Sequence, residues 1–392
     1  MHDPRSVLDL DSGWEFHRRW QGRRWLGRPD RSGEIVDLPH CWNVREEFQP
    51  GVDYYRGCGS YARSLTLGAD EAAPEATWEL VAGGFVGAGD VWCDGVRVAR
   101  VDGRYLGFRV DLTDRLVGGR PAIVAVRLDT RHRAIALPGH PEPDFFIYGG
   151  LVNGMRLESR PRLRLEKESV RIEGQGVLGA APRLRIEFTV GNGLDHAVRP
   201  RIEWRIWDSP RTALAGESGE VRPVAAEAVE LPELVAGGTS VGQTVEIRLP
   251  AVRLWDPDHP NLYRAEAVLL DGDRRPRDRV SVRFGLREID LRPGEGLLLN
   301  GRRLELHGAN RSESMPGFGS ALPRALQRRD AALLKAMGAN FVRLSHAPQS
   351  PDFLDACDEM GLLVYAEVSS WKSVGRGRWL SAARLQLREM IR

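Results

Sequence analysis

From Ile289 onward the chain alternates short apolar runs with stretches of helical period, and no other feature of the sequence restricts the fold as much. Leu304–His307 reads as a short strand, and Arg324–Met337 as an amphipathic helix stopped by Gly338. Phe341–Ser345 is again an apolar strand, and Pro351–Met360 a second helix stopped by Gly361. Leu362–Ala366 reads as a continuous buried-type strand and Trp379–Ile391 as a third helix. Strand and helix in strict alternation require parallel pairing, because each helix returns the chain to the same end of the sheet, with right-handed crossovers.

The preceding sequence has a different rhythm. Trp78–Val81, Asp90–Cys93, Arg97–Val101, Phe108–Asp111 and Ala122–Leu128 read as short strands, separated by turn residues at Ala88-Gly89-Asp90, Asp94-Gly95 and Val117-Gly118-Gly119. No long amphipathic helix is supported before Leu163, which predicts a β-sandwich or jelly roll. Its many aromatic residues, among them Trp14, Trp42, Tyr55, Tyr61, Trp92, Tyr105, Phe108 and Tyr148, are expected mostly in the core, the remainder free to stack on sugar faces. A second strand series covers Leu163–Glu166, Val170–Glu173, Leu184–Val190, Ile202–Trp207, Val245–Arg248, Leu262–Leu269 and Val280–Phe284. It fits one immunoglobulin-like sandwich, with Asn192-Gly193 as a hairpin-type turn; Asp208–Gly242 is its least legible stretch. A chain of 392 residues exceeds one ordinary core. The expected division is residues 1–160, 161–288 and 289–392.

Composition narrows the function. Fifty-six basic against 54 acidic residues leave a net charge of +2, with no field to hold a nucleic acid. Only Lys167, Lys335 and Lys372 are lysines, so the arginine excess reads as compositional bias. No apolar run approaches the roughly 20 residues of a membrane span. Met1–Phe16 lacks the basic-then-apolar order of a signal peptide. Cys41, Cys58, Cys93 and Cys357 show neither paired nor zinc-finger spacing, so free buried thiols and a cytoplasmic location are expected.

Longer motifs carry a resemblance. Leu299-Asn300-Gly301-Arg302-Arg303-Leu304-Glu305-Leu306-His307-Gly308-Ala309-Asn310-Arg311, then Gly338-Ala339-Asn340-Phe341-Val342-Arg343-Leu344-Ser345-His346, then Cys357-Asp358-Glu359-Met360-Gly361-Leu362, resemble the barrel entry of glycoside hydrolase family 2. Upstream, Asp37-Leu38-Pro39-His40, Tyr55-Arg56-Gly57, Tyr61-Ala62-Arg63, Tyr148-Gly149-Gly150-Leu151, Trp255-Asp256-Pro257, Pro260-Asn261-Leu262-Tyr263 and Phe284-Gly285-Leu286-Arg287 follow in the same order. That family holds β-galactosidases, β-glucuronidases and β-mannosidases. The resemblance implies a multidomain protein: a jelly-roll, sugar-binding-like domain, an immunoglobulin-like sandwich, and an incomplete (β/α)8 TIM barrel of about three units. It also implies hydrolysis of terminal β-glycosidic bonds, β-galactosidase-like, acting on an oligosaccharide or β-glycoside.

Retaining hydrolysis needs two carboxyl groups about 5–5.5 Å apart, one nucleophile and one acid/base. By resemblance the acid/base is a Glu following an Asn at the end of the fourth barrel strand, and the nucleophile comes later. The sequence contains no Asn-Glu dipeptide, and Leu387–Arg392 falls just before the fourth strand by the same resemblance. No catalytic residue is therefore assigned within the chain. Glu313 and Glu367 are the carboxylates expected to face the catalytic side, as site walls. Arg343 and His346 match family positions lining the sugar pocket; a cation there keeps a neighbouring carboxylate ionised. Asn310, at the mouth of the first strand, can hydrogen-bond a sugar hydroxyl, and Asp144 matches a family aspartate reaching in from the jelly roll. Ser312 stands where the family usually has a histidine, and Ala347 where a tyrosine is common. No metal and no cofactor are expected, since Glu367 lacks a following Glu-x-His pattern and His40 and His307 stand alone.

Three parallel strands leave edges and an inner face that a closed barrel would cover. A piece of a longer reading frame, one part of a split enzyme completed by a C-terminal fragment, and a non-catalytic carbohydrate-binding protein all stay open, as does a homo-oligomer.

Overall fold

The computed structural model describes the chain except residues 1–4, 21, 23–24, 26–31, 47–48, 50, 52, 69–75, 103–104, 132–136, 138–144, 210–222 and 392. Two antiparallel sheets enclose the first core. One runs Val7–Asp9, Met155–Pro161, Ala76–Ala82, Phe108–Asp111 in spatial order; the other runs Glu34–Val36, Trp14–His17, Cys58–Thr66, Pro121–Asp129, Ala88–Cys93, Val96–Asp102. Alternating side chains from both sheets, including the fully buried Trp14, Tyr61 and Leu80, meet between them, joined by Phe85 from the link after Ala82. Trp42, Trp92 and Tyr148 are also buried, while Tyr55, Tyr105 and Phe108 are partly so. Asp94-Gly95 forms the tight turn between Ala88–Cys93 and Val96–Asp102, both residues at positive φ as that hairpin requires. Ala88-Gly89-Asp90 is not a turn. Gly89 pairs with Leu128 on one side and Val101 on the other, so the small residues lie inside a central strand.

The second core lies between a sheet of Leu163–Leu165, Arg171–Gln175, Arg183–Asn192 and Thr239–Arg248 and one of Ala225–Glu230, Arg201–Ser209, Leu262–Leu270 and Pro276–Phe284. Phe188 from the first packs on Trp204 of the second at 5.4 Å. Asn192-Gly193 does not close a hairpin. The Asn192 side-chain amide donates to the carbonyls of His196, Leu234 and Val235 and steers the chain across to the opposite sheet. The illegible stretch after Asp208 contains the exposed, weakly patterned strand Ala225–Glu230. Asp278 joins the two sandwiches, accepting from Arg5 and from the Leu165 backbone N–H.

After a small antiparallel ribbon, Ile289–Arg292, Gly296–Leu299 and Arg302–Arg303, three parallel strands follow in register: β1 (Gly308–Arg311), β2 (Phe341–Leu344) and β3 (Leu363–Tyr365). Helices α1 (Arg324–Ala336) and α2 (Pro351–Met360) connect them, and α3 (Arg378–Ile391) follows β3. The predicted strand Leu304–His307 is displaced. Leu304 still bonds back to Leu297, and the Asn340 side chain takes the next turn, accepting from His307 N–H and donating to the Glu305 carbonyl. Pairing starts only at Gly308. Nor is the strand Leu362–Ala366 buried throughout, since Tyr365 is 54 % exposed. The α2 boundaries agree with the sequence because each end has a local cause: Ser350 accepts from Asp352 N–H, Pro351 opens the first turn, and Gly361 adopts the left-handed conformation that ends it.

The Leu137, Ala331, Val342 and Phe353 side chains are buried, and Trp255 Nε1 donates to the Asp358 carbonyl, seating α2 on the second sandwich. Lys335 adds bonds to the Pro257 and Gly361 carbonyls. None of the four cysteines is in a disulfide; Cys41, Cys93 and Cys357 are buried, but Cys58 is half-buried, its Sγ accepting from Arg127 at 3.1 Å. No helix among the described residues is long and apolar enough to cross a membrane.

Gly361 tests this docking. Its φ is 77°, and a Cβ there would stand 2.2 Å from the Pro257 carbonyl oxygen. Gly361→Ala is expected to lower stability by roughly 2–4 kcal/mol in urea unfolding, from left-handed strain plus overpacking.

Candidate functional site

Parallel strands place their C-terminal ends on one side of a sheet, and four of the six candidate residues meet there. Asn310 lies on β1 and Arg343 opposite it on β2, while His346 and Glu367 each stand two residues beyond the ends of β2 and β3. Arg343 Nη2 donates to both carboxylate oxygens of Glu367, each at 2.9 Å. Its Nη1 reaches Asn310 Oδ1 at 3.4 Å. His346 Nδ1 lies 3.0 Å from Glu367 Oε1 and 3.4 Å from Arg343 Nη2. Arg343 and His346 remain about one-third exposed and Glu367 one-fifth. The cluster is thus internally paired yet open to a ligand. A cis peptide joins Ser345 to His346.

Glu313 belongs to a second polar network, next to the first. It reaches the cavity wall, but its Oε1 accepts from Gln327 Nε2 at 2.7 Å and from Ser350 N–H at 3.0 Å. Burial pushes its carboxyl pKa up, opposed by the charge of Arg311. Arg311 is the centre of this network, a residue the sequence marks only as part of a motif. Buried at the end of β1, it donates to Asp330, Gln327 and Gln349 and lies 3.9 Å over the Phe353 ring. Gln349 returns a bond to the Arg311 carbonyl, and Ser345 N–H donates to the same oxygen. The loops after β1 and β2 are therefore fastened to one guanidinium.

Asp144 lies outside the described residues. Its neighbour Phe145 is described, with its ring 5.7 Å from His346 and 5.8 Å from Trp371. Neither aromatic carried a signal in the sequence, because they come from segments more than two hundred positions apart. Phe145 also lines a cavity of about 280 Å³, with rings such as Tyr105 and Tyr148 on one side and Ser312, Ser345, Ala347 and Gln349 on the other. His307 is exposed. His40 hydrogen-bonds the Tyr61 hydroxyl at 2.9 Å and packs edge-on against Phe16, away from the cluster.

Residues 289–383 match the TIM barrel domain of glycosyl hydrolases family 2, and residues 179–287 match a second domain model of glycosyl hydrolases family 2. The fold and site define a glycosidase-type architecture; the chain belongs to family 2 of the glycosyl hydrolases. It is 27 % identical to a β-galactosidase of Thermoanaerobacter pseudethanolicus, covering 99 % of this chain and 50 % of that protein. It is also 27 % identical to a β-glucuronidase of Bacteroides fragilis, covering 94 % of this chain and 50 % of that one. The crystal structure of a Bacteroides uniformis β-glucuronidase superposes with a TM-score of 0.87 at 25 % identity, over 99 % of this chain and 45 % of that chain. The chain spans about half the length of the curated relatives it matches.

Burial lowers the His40 pKa from 6.5 to about 4. Between those values the unfolded chain binds a proton that the folded chain does not. The contribution is therefore complete above about pH 6.5 and declines as pH falls toward 4. Thermal melts of His40→Gln against the parent chain are expected to show a shallower loss of stability across that window.

Proposed function

We propose that this chain forms the sugar-holding part of a family 2 glycosidase that hydrolyses terminal β-glycosidic bonds, β-galactosidase-like, by a retaining two-carboxylate mechanism. On this reading residues 1–160 are a jelly-roll, sugar-binding-like domain, 161–288 an immunoglobulin-like sandwich, and 289–392 the opening of a (β/α)8 barrel with about three units. The observation that carries it is the convergence of Asn310, Arg343, His346 and Glu367 at the ends of three parallel strands, beside a cavity with an aromatic and a hydroxyl-rich wall. A sugar ring has the matching character, with C–H faces and a rim of hydroxyls.

The chemistry itself requires two carboxyls, one ionised and one able to give a proton. Glu367 is clamped by Arg343 and His346, and Glu313 by Gln327, Ser350 N–H and the nearby Arg311. Neither is a member of such a pair. The nucleophile and acid/base therefore belong to β/α units other than these three, and Arg343 is poised to hold the nucleophile ionised beside them. Leu306, Tyr365, Leu385 and Leu387 are 43–54 % exposed on this segment, which favours completion by a complementary fragment over a stand-alone carbohydrate-binding protein.

Assay with aryl β-galactosides and β-glucuronides is expected to give no turnover by this chain alone. Hydrolysis with retained anomeric configuration is expected when the remaining β/α units, carrying an Asn-Glu dipeptide, are supplied in cis or as a second polypeptide. Turnover by the chain alone contradicts the proposal.

A further inference from the structure

Phe145 and Trp371 stand at 85° to one another with ring centroids 5.8 Å apart, next to His346. Phe145 is rooted in the first sandwich, among Val86, Ile147 and Val152, whereas Trp371 follows β3 and carries the Lys372 ammonium 4.6 Å over its ring. Phe145 lines the cavity together with His346, and neither Phe145 nor Trp371 is fully buried.

We propose that this corner grips the aromatic aglycone of a β-glycoside whose sugar occupies the Arg343–His346–Glu367 site; the proposal rests on the glycoside reading of that site. Aromatic pairs favour offset-parallel or edge-to-face contact. Because Phe145 and Trp371 are nearly perpendicular, a third ring lying parallel to one is automatically edge-on to the other, and both favoured contacts form together. A pyranose cannot use the corner in this way. Its C–H face would stack on one ring, but its hydroxyl rim would then meet the second ring, which offers those hydroxyls no strong partner. The corner therefore selects for a flat apolar leaving group and leaves recognition of the sugar to the polar cluster.

Chemical-shift titration of the 392-residue chain with phenyl and methyl β-D-galactopyranoside, and with phenyl and methyl β-D-glucuronide, tests this. In whichever sugar series binds, the phenyl compound is expected to bind about tenfold more tightly than the methyl compound. Phe145→Leu and Trp371→Leu, which keep apolar bulk without the ring, should each bring the ratio below about threefold, the phenyl glycoside losing more affinity than the methyl glycoside in each variant. Phe145→Tyr retains the ring and should retain the ratio, which separates loss of the contact from loss of folding. A tenfold ratio that survives both leucine variants, or a parent ratio near one, overturns the corner while leaving the glycoside site standing. Failure of all four compounds to bind overturns both.

Discussion

The guanidinium of Arg343, held by both oxygens of Glu367 and reaching Asn310, is the interaction through which three separate strand ends become one site. Each strand alone presents one polar side chain to solvent. Parallel register brings the three within a few ångströms, and the charge pair then fixes their orientation. Beneath it, Arg311 performs the corresponding task for the loops, tying Gln327 and Asp330 of α1 to Gln349 before α2. Two arginines thus divide the work. The buried one holds the scaffold, and the partly exposed one joins the strand ends.

The same pairing limits the chemistry. Both oxygens of Glu367 already accept from Arg343 and one also faces the His346 ring, so this carboxylate is engaged in holding its neighbours. A retaining mechanism also needs a second carboxyl at short range. Glu313, an acidic residue lining the cavity, is hydrogen-bonded into the Arg311 network. The proposed role is accordingly one of holding and orienting a sugar, with bond cleavage assigned to groups from further β/α units. The open sheet agrees with that division: β1 and β3 each pair on one side only among the described residues, and apolar side chains such as Leu306 and Tyr365 face outward.

Much of this was readable in the sequence where a residue acts locally. Pro351 and Gly361 bracket α2, and Asp94-Gly95 makes its turn, because caps and tight turns depend on the residues that form them. Elements defined by partners were not readable. Gly308-Ala309-Asn310-Arg311 has no apolar period and becomes a strand only beside β2, while the more apolar Leu304–His307 is held as an irregular link by Asn340. Asn192 looks like a turn residue but uses its amide to bridge distant carbonyls. In the site, Asn310, Arg343, His346 and Glu367 were found through the resemblance of their flanking motifs. The burial of Glu313 was not, since nothing local announces that Gln327 and Ser350 will converge on it. The Phe145–Trp371 corner exists only in the folded chain.

Covalent labelling is the most direct test of the claim that the carboxylates here hold the site but do not attack. The purified chain would be incubated with cyclophellitol-type aziridines of galactose and glucuronic acid configuration, which trap a glycosidase nucleophile as an ester, and then weighed by intact-protein mass spectrometry. The account predicts an unchanged mass with both reagents. A single stoichiometric adduct mapping to Glu367 or Glu313 would contradict it.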